Sequence, residues 1–199
     1  MSSTSRSLPT LAARSPHEAI QDFLDPLNLI VSCISLTPIQ KTAEGSRFDG
    51  HMSFPNNAVV PLRGRHRLAL KVFHAYEATE DASGWSAHTR AYLYHVYADD
   101  GREFTVFHWH PERGRVALPH AHFKTLNDPI PMGKAHIPTG RVSLEAVVRL
   151  LIDELAVQPI RQDWERVLSR TERAFIERRS WHGQPPLPGA PLETQRRLG

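Results

Sequence analysis

Apolar and polar residues alternate most cleanly between Arg67 and Tyr76, where Leu68, Leu70 and Val72 interleave with Arg67, Ala69 and Lys71. A period of two sends successive side chains to opposite faces, so this segment predicts a half-buried strand. A polar stretch with Glu80, Asp81, Ser83 and Gly84 predicts a loop, and Thr89–Ala98, dense in Tyr and Leu, predicts the next strand. Asp99-Asp100-Gly101 then supplies the residues that tolerate positive φ in a tight turn, and Arg102–His110 returns as the partner strand of a central hairpin. Arg47–Phe54, Ala58–Leu62 and Leu118–Lys124 predict shorter strand pieces, and the β-branched run Leu29–Leu36 predicts one more.

Helical signals lie at the two ends. Ser15-Pro16-His17-Glu18 has the form of a capping box with proline in the first turn, and predicts a helix to about Leu24, stopped by Pro26. Ser143 caps a second pattern, in which Leu144, Val147, Val148, Leu151 and Leu155 recur at helical spacing as far as about Ala156. A third runs from Asp163 to about Arg179 with Trp164, Val167, Leu168, Phe175 and Ile176 on one stripe. Together these predict an α+β fold, an antiparallel sheet with a central hairpin and C-terminal helices packed on one face. The expected organisation is a Ser-rich disordered leader over 1–14, a single α+β domain over 15–181 and a flexible Pro-rich tail over 182–199.

Composition narrows the class. With 199 residues, 40% hydrophobic and 23% charged, the chain can bury a core without staples, which excludes fibrous and wholly disordered proteins. The lone Cys33 excludes an intramolecular disulfide framework, and no apolar run approaches the roughly 20 residues of a membrane helix. A cytoplasmic location without a membrane partner follows as the expectation. Net charge is only +3, but the basic residues are 20 Arg and 4 Lys, and Arg binds phosphate through a rigid fork.

The sequence holds 12 His, and five of them fall between His108 and His136. On a strand, His108 and His110 point to one side together with Phe104 and Val106, and His120 and His122 repeat that spacing after a short linker. Three chemistries fit two such pairs. One is metal-free phosphodiester cleavage, needing no cofactor, in which one imidazole takes a proton from the attacking hydroxyl and another supplies one to the leaving oxygen. His110 and His120 are the best-placed acid/base pair for it, His108 and His122 their partners, and Lys124, Arg113 and Arg115 the phosphate-binding candidates. Another is a His-liganded metal-binding enzyme or a metal-stabilised domain, with a divalent metal such as zinc on His108, His110, His120 and His122 and with Glu112 and Asp128 as the nearby carboxylates. The third is packing alone, in which the imidazoles are hydrogen-bonded and inert and the chain is a non-catalytic partner-binding module. His74 and His95, in mid-strand, are expected to be structural.

The run Tyr92-Leu93-Tyr94-His95, Asp100-Gly101-Arg102, Phe104-Thr105-Val106-Phe107, His108-Trp109-His110-Pro111, Leu118-Pro119-His120-Ala121-His122 and Ser143-Leu144-Glu145 resembles the TumE-type toxins of bacterial toxin–antitoxin modules. The likeness covers about Tyr92 to Leu155. Pro119 and His120 match the start of that family's Pro-His-His-Lys-His element, whereas Ala121, His122 and Phe123 depart from the rest of it. The resemblance implies a toxin-like protein of a toxin–antitoxin or related mobile-element system, with an antitoxin as partner. Joined to the histidine chemistry, it makes RNA the expected substrate.

Overall fold

The computed structural model describes residues 13–42, 48–111, 116–124 and 135–177. The expected tail and residues 1–12 of the expected leader lie outside them, while Ala13 pairs with Trp85. Among the described residues the chain forms α1 (Pro16–Val31), β1 (Gln40–Lys41), β2 (Asp49–Ser53), β3 (Val60–Pro61), β4 (Ala69–Asp81), β5 (Gly84–Tyr97), β6 (Glu103–Trp109), β7 (His120–Phe123), β8 (Ile137–Pro138), α2 (Leu144–Arg149) and α3 (Trp164–Glu177). The sheet runs in the order β1-β2-β4-β5-β6-β7-β8, with β3 also paired to β4, and every ladder is antiparallel. The fold is the expected α+β arrangement.

The core lies between one sheet face and the helices. Leu70, Val72, Tyr94 and Val96 share one buried cluster with Ile30 of α1, Leu144 and Val148 of α2, and Ile34 and Leu151 just beyond these helices. That choice of face follows from the pleat, because the buried positions of β4 and β5 fall on alternate residues. The opposite face carries Lys71, Phe73, Leu93 and His95 at intermediate exposure.

Three expectations are corrected. The first helix does not stop before Pro26 but continues to Val31 with Pro26 inside it. The predicted strand over 29–36 is therefore absent: its first residues finish α1, and those that follow turn back toward the sheet. Ile30, Val31, Cys33 and Ile34 are all buried there, so tertiary burial overrides the β-branched preference. The Asn28 side chain secures this return by accepting from the Ile39 N–H at 2.7 Å and donating to the Ile39 carbonyl at 3.1 Å. Finally, the polar stretch at Glu80–Gly84 is a two-residue turn between long strands, since β4 runs to Asp81 and β5 starts at Gly84. The helix after Ser143 also changes character, its last residues Leu150–Glu154 taking a π-helical path that Ala156 ends in the left-handed region.

No helix among the described residues is long and apolar enough to cross a membrane. Gly64 makes a close approach to the segment after α2, where a Cβ would lie 2.5 Å from the Ala156 carbonyl oxygen and 2.9 Å from the Val157 Cα. Gly64→Ala is expected to destabilise the fold by roughly 1–3 kcal/mol, because both neighbouring atoms are backbone and cannot swing away. Urea unfolding measures this, and an unchanged midpoint contradicts it.

Candidate metal centre

The β6–β7 ladder pairs His108 with His120 and Val106 with His122. Directly opposed residues of an antiparallel ladder share a face, so the two His-x-His pairs meet on the side turned away from the helices. The ring centroids of His108 and His120 are 3.9 Å apart, and that of His122 is 4.9 Å from His108 and 5.2 Å from His120. His110 sits 4.9 Å from His108 and 5.9 Å from His120. All four expected imidazoles therefore form one cluster. Hydrogen bonds outside the ladder hold the two strands: Thr105 Oγ1 donates to the His122 carbonyl at 2.9 Å, and Trp109 Nε1 to the Ala117 carbonyl at 3.2 Å.

A fifth imidazole joins them. His136, just before β8, places its ring 4.7 Å from His120 and 4.6 Å from His122. Sequence reasoning assigned it no role, although its position at the end of the dense His108–His136 window was the available signal. His95 faces the same side from β5, as the ladder Lys71–His95–Val106–His122 shows. His74 is the structural histidine that was expected. It is buried on the helix side, with Nε2 2.9 Å from Thr89 Oγ1 and Nδ1 3.2 Å from the Tyr94 hydroxyl.

Lys124 does not turn into the imidazoles but pairs with Glu103 at 2.9 Å. Arg113 and Arg115, the other phosphate-binding candidates, lie outside the described residues, as do Glu112 and Asp128.

The protonation chemistry favours ligation. His120 is only 1% exposed, and its Nδ1–H donates to the Leu118 carbonyl at 2.7 Å, which leaves the Nε2 lone pair as the free donor site of the neutral ring. Nε2 of His108 and Nε2 of His120 are both buried without a hydrogen-bond partner. Burial first, and then repulsion from His120, His122 and His110, pushes the His108 pKa down to about 3. Burial likewise lowers that of His120, against the opposing effect of the Leu118 hydrogen bond. Neutral imidazole is the form that binds a metal. One ligand atom each from His108, His120 and His122 lies within 4.8 Å of the others, and no carboxylate belongs to the group among the described residues. No family model, no curated protein and no solved structure matches the chain.

Proposed function

We propose that this chain is a metal-dependent hydrolytic enzyme whose centre is the imidazole trio of His108, His120 and His122. The observation that carries the reading is the convergence of three ligand nitrogens, two of them buried atoms with no partner of their own. An unsatisfied buried polar atom costs on the order of 1–3 kcal/mol, and a bound cation removes that cost for the ligating atoms at once. The donor set selects the metal. Three nitrogens suit zinc, copper, nickel, cobalt or iron, whereas magnesium and calcium require oxygen shells. Three protein ligands leave a position for substrate, as in catalytic sites.

When bound there, the metal supplies Lewis acidity for hydrolysis. Burial keeps His108 and His120 neutral, and Leu118 fixes the His120 tautomer. His110 and His136 border the trio, where they can contact what binds at the open position. A toxin-like role with RNA as substrate and an antitoxin as partner rests on the motif likeness between Tyr92 and Leu155.

Metal-free acid/base cleavage by His110 and His120 is the second reading, favoured by the two rings lying 5.9 Å apart in one cluster. The lowered pKa of His120 limits it to the general base of that pair, because a general acid must be protonated near neutral pH. One experiment separates the two. The protein, purified without added metal, is analysed for elements and incubated with total RNA with and without chelator. About one equivalent of a transition metal, with cleavage abolished by the chelator, is the expected result. A protein that neither carries nor takes up zinc, nickel or copper rules out the metal reading, and cleavage that survives chelation supports the acid/base pair.

A further inference from the structure

The row of the sheet that ends at His122 begins at Lys71. The registers place Lys71, His95, Val106 and His122 side by side on four neighbouring strands, all facing away from the helices. With strands about 4.8 Å apart, the row spans roughly 14 Å from Lys71 to His122. The Lys71 ammonium has no hydrogen bond or ion pair among the described residues, although the residue is half-buried. At the other side of the row, Lys124 donates its backbone N–H to the Phe104 carbonyl at 3.0 Å, which ties it to the edge of β6. Its ammonium binds one oxygen of Glu103 at 2.9 Å, and the other oxygen lies 3.5 Å from His95 Nδ1. The Glu103 carboxylate thus bridges Lys124 and His95, and the Tyr97 hydroxyl lies 2.9 Å from the same His95 nitrogen.

We propose that Lys71 and Lys124 form a phosphate-binding subsite beside the three-histidine centre, which makes a phosphate ester the substrate class. This inference rests on the metal reading above. Imidazole ligands are neutral, so they leave the two charges of the cation uncompensated. Among the described residues, Glu103 is the one carboxylate paired beside this row, against two ammonium groups and the metal. A site with that surplus of positive charge favours an anion. A phosphoryl group fits better than a carboxylate, because its tetrahedral oxygens can face a metal and two lysines at the same time. Lys71 stands roughly 14 Å from His122 and Lys124 two residues beyond it, so the two extended side chains can approach one such group over His95 and Val106, with its ester substituent lying over Phe73 and Leu93 in the adjoining row.

The test uses the full chain loaded with zinc, its metal content measured in every preparation. Inorganic phosphate, a 5′-mononucleotide and a short single-stranded RNA are titrated separately by calorimetry. The Lys71→Ala/Lys124→Ala double variant is expected to bind the probes at least tenfold more weakly at unchanged metal content, and Lys71→Arg/Lys124→Arg to restore most of the affinity. Equal affinities for phosphate and mononucleotide assign the subsite to small phosphate esters, and much tighter binding of RNA assigns it to a polymer. Full metal content with affinity indifferent to the two lysines overturns the subsite and leaves the metal centre standing, as does a loaded protein that binds none of the three probes. A wild-type chain that takes up no zinc overturns both.

Discussion

His120→Ala is expected to empty the metal centre and abolish any activity that depends on it. His120 is the most enclosed of the clustered imidazoles, at 1% exposed, and its ring lies closest to that of His108. Its tautomer is set by a backbone carbonyl, that of Leu118 at 2.7 Å. Losing it removes the most buried of the three ligands, and leaves two imidazoles of the trio that cannot complete a three-nitrogen set. Stability reads the same event independently of catalysis. Metal at one hundred times its dissociation constant stabilises the native state by about 2.7 kcal/mol. For a domain of this size that raises Tm by roughly 5–10 °C. The wild type is expected to show that rise on zinc addition and His120→Ala to show none, with its zinc content falling below roughly a tenth of an equivalent. An equal rise in both proteins contradicts the assignment of His120 as a ligand.

The second large effect is acid destabilisation centred on His74. This imidazole is 6% exposed under α1, edge-on to Phe23 at 5.2 Å between ring centroids, and burial lowers its pKa to about 4. The unfolded chain binds the same proton near pH 6.5. Below that pH, unfolding takes up a proton, so the stability due to neutral His74 is complete above about pH 6.5 and is lost as the pH falls toward 4. At about 1.4 kcal/mol per pH unit, the loss by pH 4.5 is roughly 2–3 kcal/mol. His108 acts in the same direction in metal-free protein, since its pKa is also depressed. Glu145 acts oppositely: it is buried at the start of α2, its carboxyl pKa is raised, and folding favours its protonated form as the pH falls. Urea unfolding at pH 7 and pH 4.5 isolates the His74 contribution when compared with His74→Gln, which keeps polar contact with Thr89 and Tyr94 but has no proton to take up. The variant is expected to lose roughly 2–3 kcal/mol less than the wild type between the two pH values. Equal losses contradict the role of buried His74.

Much of this molecule follows from local rules that the chain alone displays. Alternation over Arg67–Tyr76 and Arg102–His110 marks two central strands, and the Asp99-Asp100-Gly101 turn joins the second of them to β5, with Gly101 at φ +76°. The same alternation predicts that His108 and His110 share a face, because a pleated strand leaves no other choice. Caps are equally local: Ser15 Oγ accepts from the Glu18 N–H, and Ser143 Oγ from the Ala146 N–H.

Tertiary packing decided what lies between those elements. The segment after Pro26 reads as strand by composition, yet Ile30 and Val31 end a helix, since propensities differ by tenths of a kcal/mol and burying several aliphatic side chains contributes several kcal/mol. The register that sets His108 opposite His120 is likewise nonlocal, and a slip of one residue would turn one imidazole pair toward the helices. His136 and the Lys71 row belong to the site only because strands distant in sequence lie side by side in the sheet. A chain can declare which residues share a face of one strand, but the choice of neighbours across the sheet belongs to the core that all the strands and helices build together.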